Sequence, residues 1–163
     1  MENERNKIWN EIVKHLIENN LTIATMESCT GGGIANEITS ISGASAILRE
    51  SYVTYCNEAK IKQGVREEVI EKHSVYSAEV AKEMAIAVKK QASSDFGIGV
   101  TGQLGRIDPN NPVDKLNLVW YAIVDNNKIF EKKLKVPDTE RMIQKKFVIE
   151  DIANSLMKIL NDK

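Results

Sequence analysis

Apolar side chains recur every three to four residues near the start of the chain. Ile8, Trp9, Ile12, Val13, Leu16 and Ile17 share one side of residues 5–18 and charged groups take the other, which predicts an amphipathic first helix. Residues 21–27 (Leu-Thr-Ile-Ala-Thr-Met-Glu) read as a short strand. A helix over 31–41 follows, with Ile34, Ala35, Ile38 and Ile41 as its apolar face and Ser42-Gly43 as its stop. Residues 46–56 are rich in β-branched and aromatic types and predict a second strand. Short helices are expected over 57–63, ended by Gly64, and over 66–72. Ser77 is placed to cap a longer helix over 78–92, with Val80, Ala81, Met84, Ala85 and Val88 inward.

The nearly all small or apolar run 96–101 predicts a strand buried on both faces. Gly102, Gly105, Pro109, Asn110, Asn111 and Pro112 make 102–115 a long loop, and long loops in compact domains are commonly functional. Strands at 117–124 and 128–136 meet at Asp125-Asn126-Asn127 as a hairpin. Pro137-Asp138 opens a final helix over 139–160, with Ile149, Ile152, Leu156 and Ile159 inward. Helices and strands alternate early and an antiparallel pair comes late. The expected fold is therefore an α/β, three-layer α/β/α sandwich around a mixed, mostly parallel sheet of about five strands, as a single domain over 1–163.

Composition changes this picture little. With 42% apolar and 28% charged residues, the 163-residue chain is of globular type. A net charge of −1, with both signs scattered, gives no electrostatic case for nucleic acid. The basic run 128–135 alternates with Ile129, Phe130 and Leu134 and reads as a solvated strand face. No apolar run approaches the roughly 20 residues of a membrane span, and the polar N-terminus does not resemble a signal peptide. Cys29 and Cys56 lack CxxC spacing, which fits a reduced cytoplasmic setting; with His15 and His73 far apart, no zinc site is expected. Trp9 and Trp120 are core residues by default and leave packing into a homo-oligomer open.

The candidate chemistry begins at Thr25-Met-Glu-Ser-Cys-Thr-Gly-Gly-Gly33. Ser28 falls on a strand-to-helix turn whose glycines leave backbone amides bare, and helix N-terminal amides suit an anion or oxyanion. Tyr52-Val-Thr-Tyr-Cys-Asn-Glu-Ala-Lys60 closes a strand and opens a helix. Ser28, Lys60 and Thr101 all lie at strand carboxyl ends if their strands run parallel, where open α/β sheets bind ligands. Serine paired with lysine is one route to nucleophilic catalysis without histidine, provided the amine is neutral. Glu27 and Glu58 oppose that neutrality if they face the pocket. From spacing alone, Ser28 reads equally as a helix cap, Lys60 as a solvated residue and the glycines as close-packing positions.

Glu-Ser-Cys-Thr-Gly-Gly, Arg49 with Tyr52 to Lys60, Ser77-Ala-Glu-Val-Ala81, Val100-Thr-Gly102 and Val119-Trp120 together resemble the CinA C-terminal domain family over essentially the whole chain. The resemblance implies a metal-free nicotinamide-nucleotide amidohydrolase with no cofactor, converting nicotinamide mononucleotide to nicotinate mononucleotide and ammonia. It also implies a stand-alone member, since larger members carry a further N-terminal domain. Residue by residue, it implies Ser28 as nucleophile, Lys60 as general base and Tyr55 as a hydroxyl orienting Lys60 or relaying its proton. Amides near Thr30, Gly31 and Gly32 would form the oxyanion hole, and Thr101 and Gly102 would line the pocket.

The family's Gly-Ile-Ala-Gly-Pro is replaced here by Gly102-Gln-Leu-Gly-Arg-Ile-Asp-Pro-Asn-Asn-Pro112. Arg106 is a candidate phosphate ligand by its guanidinium fork, and Arg141 and Lys145 match the family's basic residues loosely. The expected partner is thus a small pyridine mononucleotide. The alternative is a catalytically silent nucleotide-binding or interaction module of the same fold; a third reading is a Ser–Lys amidase for another carboxamide or peptide.

Overall fold

The computed structural model describes residues 2–163, with side chains from residue 7 onward. Met1 and the next five side chains, part of the polar stretch that argued against a signal peptide, lie outside the described residues. Helices are α1 (Glu2–Glu18), α2 (Gly33–Thr39), α3 (Asn57–Lys62), α4 (Glu67–His73), α5 (Ala78–Ala92) and α6 (Arg141–Asn161); strands are β1 (Ile23–Glu27), β2 (Leu48–Val53), β3 (Phe96–Gln103), β4 (Leu118–Val124) and β5 (Ile129–Lys135). Among the described residues no helix is long and apolar enough to cross a membrane.

The five strands form one sheet in the order β2-β1-β3-β4-β5. β2, β1 and β3 pair in parallel, and β4 runs antiparallel to both β3 and β5, so four of the five strands point the same way. Alternation along the strands splits the core into two layers. Ile23, Ile98, Val100, Val119 and Tyr121 meet Trp9, Ile12 and Leu16 of α1, Ile34 and Ile38 of α2, and Ile152 and Leu156 of α6. Ala24, Met26, Trp120 and Ala122 meet Val80, Met84 and Val88 of α5 together with Val69 and Ile70 of α4. The three-layer sandwich follows.

α5 lies close on β3 because Gly97 and Gly99 have no side chain. A Cβ at either would overlap the Ala85 or the Ala81 carbonyl oxygen. Ser77 caps α5, its Oγ accepting from the Val80 amide at 3.3 Å. Two elements differ from expectation. Residues 44–46 form a 3₁₀ turn, so β2 begins only at Leu48, and β3 runs on to Gln103, two residues past the expected end.

This topology places a crevice. The chain leaves β1 through α2 to β2 on one face and returns through α3–α5 to β3 on the other. From the carboxyl ends of neighbouring β1 and β3 the chain moves outward in opposite directions along the sheet, to β2 from one and through residues 104–117 to β4 from the other, and such a parting is where open α/β sheets hold ligands.

Candidate active site

β1 ends in a turn whose shape needs glycine: Gly31 and Gly32 take φ of +59° and +92°, the left-handed region that other residues avoid. The Gly31 amide donates to the Ser28 carbonyl at 2.9 Å, and the Ser28 amide donates to the Val100 carbonyl of β3 at 3.1 Å. The Thr54 amide donates to the Glu27 carbonyl at 2.8 Å. Ser28 and the end of β2 are thereby fixed side by side.

The anion expected at the N-terminus of α2 is supplied by the chain itself. Glu27 is fully buried, and its carboxylate accepts from the Ile34 amide (2.9 Å), the Ala35 amide (3.0 Å) and the Thr30 hydroxyl (2.6 Å). A negative charge there complements the helix dipole and satisfies amides that lack intrahelical partners. The reading of that helix end as open to a substrate anion is corrected accordingly. Glu27 also points away from Lys60, which removes one of the two carboxylates expected to hold the lysine charged.

Lys60 comes from α3. Only 1% of it is exposed, and its Nζ lies 3.0 Å from Ser28 Oγ while donating to the Thr54 carbonyl at 2.6 Å. Burial lowers its pKa from 10.5 to about 8, a fall that nearby Cys29, Cys56 and Asp108 limit. With a pKa of about 8, about a tenth of the amine is unprotonated at pH 7. An unprotonated amine can accept the serine proton while a remaining N–H holds the Thr54 carbonyl. Cys29, the other nucleophile in the turn, is buried and its thiol is pushed up to about 12 by desolvation, so it stays protonated.

Ser28 and Lys60 lie in a cleft of about 650 Å³ that Tyr76, Gln103, Arg106, Asp108 and Arg141 also line. The loop 104–117 forms one wall and is tied down. Asp108 accepts from the Tyr76 hydroxyl at 3.0 Å, Asn57 donates to Asn111 at 2.9 Å, and Lys115 Nζ donates to the Tyr76 carbonyl at 2.8 Å. Among the described residues, no group of three or more His, Cys, Asp or Glu is placed to hold a metal ion.

The other expected residues are brought together unevenly. Gly102 and Arg106 line the cleft, as does Arg141 at the start of α6. Tyr55 lines it too, but 60% exposed and with its hydroxyl accepting from Arg141 at 2.6 Å. The expectation that Tyr55 orients Lys60 is corrected: the Thr54 carbonyl holds the amine. Thr101 is fully buried and donates to the Val75 carbonyl at 2.9 Å, so it is no pocket-lining residue. The reason is the longer β3, which moves the strand's end to Gln103 on the same face. Thr30 is turned inward onto Glu27. Of the expected oxyanion amides, that of Gly31 is taken by Ser28, whereas those of Thr30 and Gly32 make no backbone hydrogen bond among the described residues. Gly31 also borders a second, shallower groove with Arg141 and Lys145.

Sequence reasoning did not single out Tyr76, Asp108 or the Thr54 carbonyl. A tyrosine beside the Ser77 cap and an Asp-Pro pair inside a long loop were the available signals, and neither specifies a partner without the fold.

Known proteins match this chain in sequence and in fold. The CinA C-terminal domain family matches residues 5–159. A protein of Thermoanaerobacter pseudethanolicus named as competence-damage inducible is 39% identical over 139 residues, covering 85% of this chain and 33% of its own length. A CinA-like protein of Kosmotoga olearia is 34% identical over 155 residues, covering 92% of this chain and 37% of its own. The chain thus spans about a third of the length of these curated relatives. Among solved structures, the competence/damage inducible protein CihA of Agrobacterium tumefaciens superposes with TM-score 0.87 at 27% identity, over 96% of this chain and 95% of that one. A CinA superfamily protein of Klebsiella pneumoniae gives TM-score 0.89 at 23% identity, over 98% and 99% of the two chains, and shares the fold. With the sequence motifs and the sheet order in agreement, this chain belongs to the CinA C-terminal domain family.

Proposed function

We propose that this domain is an amidohydrolase that converts nicotinamide mononucleotide to nicotinate mononucleotide and ammonia through a Ser28–Lys60 pair. The observation that carries the reading is the 3.0 Å approach of Lys60 Nζ to Ser28 Oγ at the buried end of a substrate-sized cleft. Neutral Lys60 takes the Ser28 proton as Oγ attacks the carboxamide carbon. The Thr30 and Gly32 amides receive the tetrahedral oxyanion, since the Gly31 amide is held by the Ser28 carbonyl. Lys60 returns the proton to the departing nitrogen, releasing ammonia. Water, deprotonated by the same amine, then hydrolyses the acyl-enzyme to the carboxylate product. Arg106 and Arg141 supply the positive charge that a phosphate needs, and both line the same cleft.

Purified protein incubated with nicotinamide mononucleotide should release ammonia in stoichiometry with nicotinate mononucleotide. Ser28→Ala should lower kcat by about 10⁴-fold or more, the scale of nucleophile removal in serine hydrolases. Turnover that survives this substitution would rule Ser28 out as nucleophile. Tight nucleotide binding by wild-type protein with no ammonia would favour the catalytically silent module instead.

A further inference from the structure

Two carboxylates line the cleft without a part in the hydrolysis: Glu58, which is exposed at the start of α3, and Asp108, the one of the two that acts on Lys60. Asp108 lines the same cavity as Ser28 and Lys60, though it comes from the 104–117 loop. Its Oδ2 accepts from the Tyr76 hydroxyl and from Asn111 Nδ2, both at 3.0 Å, and its Oδ1 accepts from the Asn110 amide at 2.9 Å. These donors, with Arg106 nearby, hold the carboxyl below its usual range, so it is anionic at neutral pH. The loop that carries it is anchored on both sides, by Asn57 to Asn111 and by Lys115 to the Tyr76 carbonyl. The carboxylate is therefore a fixed feature of the cleft wall.

Its position is unfavourable for the unliganded site. A negative charge near Lys60 favours the ammonium, against the neutral amine that the dyad requires, and it repels a phosphate. A cation in the ligand would offset both effects. On the reading proposed above, the substrate carries one: its ring is an N-ribosylated pyridinium, whose positive charge lies next to the carboxamide that Ser28 attacks. Tyr55 and Tyr76 line the same cleft, and aromatic faces attract cations.

We propose that Asp108 is a specificity-determining residue that selects cationic pyridinium carboxamides over neutral-ring counterparts. The inference rests on the pyridine-mononucleotide reading and sharpens it: the cleft discriminates the charge state of the ring as well as the amide and the phosphate.

The test compares nicotinamide mononucleotide with its reduced form, whose dihydropyridine ring is neutral while carboxamide, ribose and phosphate are unchanged. Binding is measured by isothermal titration calorimetry in Ser28→Ala protein, which removes turnover from the measurement. The cationic nucleotide should bind about tenfold more tightly than the reduced one, the scale of one partly screened charge pair. Adding Asp108→Asn should bring the two affinities within about twofold, and Asp108→Glu should restore the preference in part. Tyr76→Phe removes a donor to the loop but leaves the charge, so the preference should persist in it; this separates electrostatic selection from loss of the loop's anchoring. Equal affinities in the Ser28→Ala background, or a preference unchanged by Asp108→Asn, would overturn the proposal. Ammonia release with Ser28 intact reports on the hydrolase reading separately. A charge preference without ammonia sinks that reading and leaves the role of Asp108 standing, and ammonia without a charge preference does the reverse.

Discussion

Lys60 concentrates the conflict between stability and chemistry in one side chain. The proposed hydrolysis needs an amine that loses its proton near neutrality, and burial favours this by making the ammonium costly. If unprotonated Lys60 is the base, kcat/KM should rise about tenfold per pH unit at low pH and level off above about 8. A profile flat between pH 6 and about 9 would exclude Lys60 as the titrating base. The same shift has a thermodynamic sign. The folded state holds the lysine proton less tightly than the unfolded chain does, so the penalty is full below about 8 and is relieved as pH rises toward 10.5. Relative to Lys60→Met, wild-type protein should gain up to about 3 kcal/mol of unfolding free energy between pH 7 and about 10. Paired urea titrations of the two proteins at each pH measure that difference, and a constant gap would refute the shifted pKa. The lost donor to the Thr54 carbonyl affects the variant at every pH and leaves the slope intact.

At the scale of elements, closeness rather than propensity decides what is tolerated. α5 can lie on β3 only because Gly97 and Gly99 leave room for the Ala85 and Ala81 carbonyls, and backbone oxygens cannot rotate away as a side chain can. Gly99→Ala should therefore destabilise by about 3 kcal/mol, lowering the melting temperature by roughly 6–12 °C in a chain of this size. Differential scanning calorimetry checks it, and an unchanged melting temperature would contradict the packing argument.

These elements also show how far the sequence could be read. Ser77 and the 3.6-residue repeat behind it place α5 at residues 78–92, since cap and periodicity are local signals. The hairpin at residues 125–127 was equally legible, with Asp125 Oδ1 accepting from the Asn127 and Lys128 amides at 2.7 Å. That Ser28 and Lys60 meet was legible, carried by long motifs at two strand ends. What stayed hidden depends on contacts distant in sequence. Thr101 looked like a strand end because Gly102 follows it, but pairing with β4 continues to Gln103↔Leu118 and carries the strand past the glycine. Glu27 looked like a threat to Lys60 because only the fold shows its carboxylate turned onto the start of α2. Asp108 and Tyr76 lie 32 residues apart and meet only once the loop has been laid across α5's entrance.

For the whole molecule, the dyad and the loop wall belong to parts of different stability. The Ser28 amide bonds Val100 of β3 and the Thr54 amide the end of β1, the two nearly wholly buried central strands, so these positions open only with general unfolding. Between residues 106 and 114 the backbone closes only short turns, such as Asn111 to Asp108 and Val113 to Asn111, and most of that stretch is exposed, its ties to the rest of the molecule being side-chain ones. Segments with few buried contacts open locally at far lower free energy than core strands. Native-state hydrogen exchange should therefore show amides of Ile98 and Val100 exchanging only with global unfolding, and loop amides such as Asn111 several kcal/mol sooner. Sub-denaturing urea should then raise KM, as the wall carrying Arg106 and Asp108 loosens, before kcat at saturating substrate falls. The Asn111→Ala variant, which releases the loop from Asn57 and Asp108, should reproduce that pattern in the absence of urea, raising KM several-fold while the pH at which kcat/KM levels off stays near that of Lys60. If kcat fell together with KM's rise in both experiments, the loop would be acting on the dyad itself, and the division between a rigid chemical centre and a looser recognition wall would not hold.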